Sequence, residues 1–209
     1  IALVTIQIIV ILVAIYAISM LARGDSTYAQ KLIIFFLIAG IIHNIGYILE
    51  LVSTCRADVI FAIRIEYLGS CFIPYLYMMF IRHYCKRPER RLMETIFAVC
   101  GLLSLVMVWT DEWHHLFYKE VRFVQTGAYP HLELEHEIGF YLYLFFSVIS
   151  PWAISMFVLI KAMVTEKRKK KRNILSIICG LTITALVVMF LCVLDVFPNG
   201  YDATPMVLL

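Results

Sequence analysis

The chain has 209 residues, of which 62% are hydrophobic and 16% are charged, and its formal net charge is +3. An ordinary soluble domain carries about 25% charged residues, and the mean hydropathy of this chain is +0.87. A soluble core has no room for so much apolar surface, so the composition excludes a water-soluble globular protein and predicts one embedded in a lipid bilayer.

Six apolar stretches are long enough to cross a bilayer, which takes about 20 mostly apolar residues. They cover residues 1–22, 32–52, 59–81, 92–109, 138–160 and 174–195. A seventh begins near Thr204 and runs to Leu209. The predicted fold class is all-α: one domain over residues 1–209, a polytopic membrane helix bundle with six complete transmembrane helices and the start of a seventh. Because the chain starts at Ile1 and stops inside an apolar run, we expect it to be a piece of a longer protein.

Basic residues are distributed unevenly among the connections. Fourteen of the 18 Lys and Arg lie in the stretches 23–31, 82–91 and 161–172. By the positive-inside rule, such stretches stay in the cytoplasm. We therefore expect a multi-pass protein of the cell membrane with its N-terminus outside and a seventh helix leading into the cytoplasm. The run Lys167–Arg172 is interpreted as a topology signal that meets anionic lipid headgroups, so no nucleic-acid partner is predicted.

The longest connection, residues 110–137, spans 28 residues and is predicted to lie outside. Aromatic and β-favouring residues flank a turn signal at Thr126–Gly127, which indicates a small hairpin or a lid across the outer mouth. Its histidines and carboxylates are of the types that bind divalent ions. Their spacing matches no compact metal motif, so neither a metal nor a cofactor is predicted.

Ionisable residues inside the predicted spans gather towards the outer side. His43, Tyr47 and Glu50 share one face of the second helix because they are spaced i, i+4, i+7. Arg64 and Glu66 in the third helix are two residues apart, so they point in different directions and should have different partners. An ionised side chain inside the bilayer costs about 2.5–3.5 kcal/mol and usually faces a partner or a wet cavity. Structural ion pairs, a polar ligand pocket and an ion path all remain open interpretations.

Two prolines, Pro74 in the third span and Pro151 in the fifth, fall inside predicted helices. Proline removes a backbone hydrogen bond and bends a helix, and a neighbouring group must satisfy the freed carbonyl. Ser147 and Ser150 precede Pro151 and are suited to that task. Each bend is either fixed or a hinge that moves during signalling.

No enzymatic motif is present in the sequence. It contains no Gly-rich phosphate loop, no GxSxG and no HExxH, so no catalytic residue is predicted. The six cysteines show no CxxC spacing, which argues against a disulfide framework and against a cysteine-based zinc site. We therefore predict that this chain is not itself an enzyme.

Four stretches occur in an order typical of one family. They are the third-helix stretch Arg64–Pro74 with its Tyr-Leu-Gly before a proline, the fourth-helix exit Trp109–Tyr118, the start of the fifth helix at Gly139–Tyr143, and the link Pro198–Pro205 with its Asp-x-Thr-Pro. In this order and topology they resemble the N-terminal seven-transmembrane region of bacterial histidine kinases, which is also found ahead of diguanylate cyclase domains. The resemblance covers nearly the whole chain.

The resemblance implies a sensory input domain that detects an extracellular or membrane-dissolved cue. Its signal would pass through helix seven to a cytoplasmic output domain in the same protein, a histidine kinase in the first place. It also implies, by analogy, a homodimer, and it names no ligand. A small-solute transporter is the alternative function, although transporters often show inverted repeats and broken helices and no repeat is visible here.

Eight residues are predicted to recognise the cue. They are Glu50, Arg64, Glu66, Trp109, Trp113, His114, His115 and Tyr143. The charged and imidazole side chains would bind polar groups of a small molecule, and Trp109, Trp113 and Tyr143 would form aromatic walls.

Overall fold

The computed structural model describes residues 2–88, 90–124 and 131–193. In this part of the chain, six helices are long and apolar enough to cross a membrane. The fold class is therefore the predicted all-α polytopic membrane bundle. The predicted seventh span, Asp195 at the end of the sixth, and the link 198–205 lie outside the described residues.

The described elements follow one another with short connections. In chain order they are α1 (Ala2–Leu21), α2 (Tyr28–Val52), α3 (Arg56–Ser70), α4 (Ile73–Tyr84), α5 (Arg91–Trp109), α6 (Asp111–His114), β1 (Tyr118–Val124), β2 (His131–His136), α7 (Ile138–Tyr143), a π-helical segment (Leu144–Ile149), α8 (Ser150–Thr165) and α9 (Lys169–Val193). The third span consists of α3 and α4, and the fifth consists of α7, the π-helical segment and α8.

Several helices are longer than the apolar stretches that predict them, because hydropathy marks only the part suited to lipid. Helix α2 begins at Tyr28, four residues before its apolar stretch. It starts there because Thr27 forms a capping box: the Thr27 hydroxyl accepts from the Gln30 N–H, and the Gln30 side chain accepts from the Thr27 N–H. Helix α9 likewise begins with lysines at Lys169.

Successive spans alternate in direction, so their connections fall at two ends of the bundle. The connections 22–27, 85–90 and 166–168 lie at one end, which we call the basic end. The connections 53–55 and 110–137 lie at the other, which we call the hairpin end.

The third span is the centre of the bundle. Helices α3 and α4 pack against α2, against α5 and against the fifth span, and the Tyr77 hydroxyl forms a hydrogen bond with the Thr182 hydroxyl on α9. The span is interrupted at Cys71–Phe72, and Pro74 stands in the first turn of α4. A proline fits there because the first N–H groups of a helix have no intrahelical acceptor.

Helices α2 and α3 touch backbone to backbone through two glycines. A Cβ added to Gly46 would lie 2.6 Å from the Cα of Glu66, and a Cβ added to Gly69 would lie 2.8 Å from the backbone nitrogen of His43. The Ala39 carbonyl would be closer still to a Cβ at Gly69. Any larger residue at either position would separate the helices, which is how small residues set helix contacts in membranes.

The fifth span departs from α-helical geometry just before its proline. The segment Leu144–Ile149 is π-helical, and Pro151 follows in the first turn of α8. The Ser150 hydroxyl donates to the Phe145 carbonyl at 2.7 Å, which also accepts from the Ser150 backbone N–H. The Ser150 hydroxyl is thus satisfied inside the protein, as a lipid-embedded helix requires.

Helix α5 lies beside both irregular segments. A Cβ on Gly101 would lie 2.9 Å from the Cys71 carbonyl oxygen at the break in the third span. The Ser104 and Ser147 hydroxyl oxygens are 3.1 Å apart. Because Ser104 donates to the Cys100 carbonyl at 2.9 Å, Ser147 is the donor between the two hydroxyls.

The long connection forms the antiparallel pair that its sequence predicts. Strands β1 and β2 pair from Tyr118 opposite His136 to Val124 opposite His131. The turn signal Thr126–Gly127 lies outside the described residues.

Replacing Gly46 by alanine is expected to destabilise the protein by about 1–3 kcal/mol, because the new methyl group overpacks the contact between α2 and α3. The measurement is thermal unfolding of the purified protein in detergent. Gly180→Ala is the matched control: a Cβ at Gly180 meets nothing within 4 Å, so that change should be neutral or slightly stabilising. Equal melting temperatures for the two variants would rule out the glycine contact as a determinant of stability.

Candidate functional site

A cavity of about 150 Å³ opens at the hairpin end, between α3, α5 and the segment that leads into β1. Its lining residues are Arg56, Ile60, Ile63, Arg64, Val108, Asp111, Glu112, His115, Tyr118, Lys119 and Glu120. Apolar side chains from the two spans form its inner part, and ionisable side chains surround its opening. This is the usual construction of a site for a small polar ligand.

Arg64 links the third span to α6 at the cavity opening through an ion pair. Its guanidinium lies 3.0 Å from the Glu112 carboxylate on α6, and the Trp109 indole donates to the Arg64 carbonyl at 3.2 Å. The Arg64 side chain is 21% exposed, whereas that of Glu112 is 60% exposed. The Nε–H of Arg64 is buried and has no acceptor among the described residues. A buried donor without an acceptor is costly, so an oxygen that reached this group would be favoured.

Asp111 holds the chain in the turn from α6 to β1. One carboxylate oxygen accepts from the backbone N–H of Phe117 at 2.8 Å and from that of Tyr118 at 3.3 Å. The aspartate is 8% exposed and Phe117 is fully buried. Asp111 therefore acts on the cavity by placing the residues that follow it.

Both ring nitrogens of His114 form hydrogen bonds within the same turn. The Leu116 N–H donates to its Nδ1 at 3.0 Å, so this nitrogen carries no proton. Its Nε2 lies 3.0 Å from the Thr110 hydroxyl, which itself donates to the Val106 carbonyl. Nε2 is therefore the donor in this contact. The distance of 3.8 Å from Nδ1 to Asp111 is a proximity of these groups and not an ion pair.

His115 ends α6 in the left-handed conformation, with φ of 49°, and lines the cavity. A non-glycine residue with positive φ is uncommon and marks a constrained backbone. The constraint comes from the hydrogen bond of the His115 N–H to the Asp111 carbonyl at 2.8 Å.

An aromatic cluster closes the inner side of the cavity. Phe117 packs edge-to-face against Tyr67 and Phe140 and lies 5.8 Å from Tyr143, measured between ring centroids. Tyr143 is 8% exposed and sits within this cluster, below the cavity wall. Such contacts are worth about 0.5–1.5 kcal/mol per pair beyond the area buried, so the cluster is a rigid floor.

Tyr118 connects this floor to the acidic residues of the site. Burial raises the pKa of its hydroxyl, although the hydrogen bond to Tyr67, 3.1 Å long, opposes the shift. The charges of Glu66, Asp111 and Glu50 raise it further. Tyr118 is therefore a neutral hydrogen-bonding group at every physiological pH.

Glu66 faces α2 instead of the cavity. Its carboxylate lies 3.4 Å from Nδ1 of His43, and the two side chains are 14% and 3% exposed. Glu50, at the hairpin end of α2, is partly exposed and does not line the cavity.

The structure thus brings together part of the predicted set. Arg64 and His115 line the cavity, Trp109 bonds the Arg64 carbonyl, and His114 bonds Thr110 and Leu116, which do not line it. Trp113 is 84% exposed and does not line it. The sequence analysis did not predict five lining residues: Arg56, Glu112, Tyr118, Lys119 and Glu120. No sequence pattern shows that the segment after α5 folds back against the start of the third span.

Among the described residues, no group of three or more His, Cys, Asp and Glu side chains is placed to hold a metal ion. The side chains of His131 and Glu133 lie outside the description. His136 stacks on Phe140 with 3.6 Å between ring centroids, and burial lowers its pKa, so it is neutral at pH 7.

Substituting Asp111 tests its placing role. Asp111→Ala leaves two buried N–H groups without an acceptor and should cost about 2–4 kcal/mol of stability, whereas Asp111→Asn keeps an acceptor oxygen and should cost less than about 1 kcal/mol. Thermal unfolding in detergent measures both. If the asparagine variant is as unstable as the alanine variant, the negative charge and not the hydrogen bonds holds the turn.

The comparisons with known proteins give one family. The family model described as the N-terminal 7TM region of histidine kinase matches residues 2–209. No curated protein and no solved structure matches the chain significantly. The match covers every described span and the cavity between them. The chain therefore belongs to the family of N-terminal seven-transmembrane regions of histidine kinases, which are non-catalytic input regions of membrane sensors.

Proposed function

We propose that the hairpin end faces the outside of the cell and that its cavity binds a small carboxylate-bearing cue. In this proposal a seventh span carries the resulting change to a histidine kinase domain in the same protein. The observation that carries the proposal is that Arg64 lines a cavity of about 150 Å³ while its buried Nε–H has no acceptor among the described residues.

The orientation rests on charge. Fourteen of the 18 Lys and Arg lie in the three stretches that include the basic-end connections. The positive-inside rule assigns such an end to the cytoplasm, which leaves the cavity accessible from outside.

The chemistry of the cue follows from Arg64. A guanidinium offers a fork of N–H donors that matches a carboxylate, and Glu112 occupies only one part of it. Since Glu112 is mostly exposed, its ion pair with Arg64 is worth about 0–1 kcal/mol. A carboxylate that also satisfies the buried Nε–H can displace it.

The displacement would act on a connected set of helices. Glu112 belongs to α6, which leads directly into β1, and Arg64 belongs to the central third span. That span reaches α9 through the hydrogen bond between Tyr77 and Thr182. Releasing α6 from Arg64 would therefore change the restraint on a span that packs against α2, α5 and the fifth span. Such changes bias packed helices between two arrangements.

Small carboxylates test the site directly. We expect at least one of acetate, succinate, glycine and benzoate to raise the melting temperature of the purified chain in a saturable way. Arg64→Gln should weaken this binding about tenfold or more, because a charge-assisted hydrogen bond is lost. Glu112→Gln should strengthen it, because the competing carboxylate is gone.

Arg23→Gln is the control, since it removes the same charge at the basic end. A response that survives Arg64→Gln, or one that Arg23→Gln weakens equally, would refute the site. A saturable flux of the stabilising carboxylate into proteoliposomes would favour the transporter alternative.

The orientation has its own test through a native thiol. Cys55 is free and exposed at the hairpin end, so a membrane-impermeant maleimide should label it in right-side-out vesicles. A cysteine introduced by Arg168→Cys, in a Cys55→Ser background, should react only after the vesicles are opened. Labelling in the reverse order would place the hairpin end in the cytoplasm.

A further inference from the structure

We propose that the basic end carries a second site, which binds a phosphate group between the third, fifth and sixth spans. A cavity of about 140 Å³ lies there, separate from the one at the hairpin end. It is lined by Cys85, Arg87, Ala162, Thr165, Glu166, Lys171 and Leu175. These residues come from the connection after α4, the end of α8 and the start of α9, so a ligand in the cavity would touch three spans at once.

The cavity has a packed apolar base. Leu175 is 1% exposed and Ala162 is 9% exposed, and both belong to a core cluster with Ile81 and Leu159. The base keeps its shape without a ligand because these residues pack against one another. The polar residues stand at the opening, where they can reach the headgroup of a lipid or a soluble anion.

The charges in and beside this cavity are unbalanced. Glu166 is its one acidic lining residue; its carboxylate accepts from the Arg168 N–H at 3.1 Å and lies 3.0 Å from the Lys171 ammonium. These two groups hold the pKa of Glu166 below its usual value, so it is ionised at neutral pH. Every residue from Lys167 to Arg172 is basic. A single carboxylate therefore leaves a strong positive excess.

Arg87 is the principal donor. Its backbone N–H is bonded to the Arg82 carbonyl, but its guanidinium has no hydrogen bond or ion pair to any residue that the structure describes. The hydroxyl of Thr165 donates to the Lys161 carbonyl and is not free to donate to an anion. The expected ligand therefore has several acceptor oxygens for Arg87 and Lys171 together, and a phosphate group matches this pattern in geometry and charge.

The phosphate can belong to an anionic phospholipid or to a soluble phosphate, and both use the same donors. Basic pockets between spans on the cytoplasmic side are suited to lipid headgroups. The probes are therefore dihexanoyl phosphatidylglycerol, dihexanoyl phosphatidylcholine and inorganic phosphate, each added to the purified full chain in a non-ionic detergent.

Cys85 supplies a local readout. Burial raises the pKa of its thiol, against the opposing charges of Arg87 and Lys171, and the residue lines the cavity. A bound phosphate should slow its alkylation, both by occupying the cavity and by shielding those cations. Cys55 at the hairpin end is exposed, and its alkylation rate in the same sample, measured by peptide mass spectrometry, should not change.

The expected result is saturable protection of Cys85 by phosphatidylglycerol and not by phosphatidylcholine. Arg87→Gln combined with Lys171→Gln should weaken this protection about tenfold or more. Lys170→Gln, an exposed residue of the same run that does not line the cavity, should leave it nearly unchanged. Protection by inorganic phosphate at similar concentrations would assign the site to a soluble phosphate, and its absence would assign it to a lipid.

Three outcomes would overturn the proposal. The first is equal protection of Cys85 by the two lipids, and the second is the absence of protection by any probe. The third is a loss of protection in Lys170→Gln as large as in the double variant, which would mean diffuse attraction to the basic run. If the double variant does not fold, Arg87→Gln alone decides, since its guanidinium makes no hydrogen bond or ion pair with any described residue. None of these results bears on the carboxylate site at the hairpin end.

Discussion

The contact between α2 and α3 sets the arrangement of the site. Two glycines let the helix backbones meet, and this fixes both the distance between the helices and the rotation of α3. With α3 so rotated, Glu66 points towards His43 at 3.4 Å. Arg64, two residues earlier and about 200° away around the helix, points towards α6. A change in that contact would therefore move the buried pair and the cavity together.

The divergence of Arg64 and Glu66 could be predicted from spacing alone, and the structure confirms it. Hydropathy likewise predicted the number of described spans, because a bilayer imposes its length on each helix. Helix ends were less predictable, since features such as the capping box at Thr27 lie outside the apolar stretch. The cavity could not be predicted in full: Glu112 meets Arg64 only because the chain turns at Asp111, and no local pattern encodes that meeting.

The two prolines illustrate the same limit. Each predicts a local disturbance, but sequence does not decide its form. Near Pro74 the span breaks and restarts, whereas near Pro151 the helix widens into a π-helical segment. Helix α5 touches the first through Gly101 and the second through Ser104. Helix α5 therefore lies against the irregular segments of two different spans.

The aromatic floor below the cavity also bears on permeation. Ile63, Val108 and Tyr118 line the cavity and belong to the same buried cluster as Phe117, and that cluster continues down to Trp152. Within the described part of the chain, a hydrated solute that entered the cavity would meet a dry hydrocarbon barrier beneath it. Ions crossing such a low-dielectric layer would lose their hydration at great cost. With the hairpin end outside, as proposed, such a layer would prevent the cavity from short-circuiting the membrane potential.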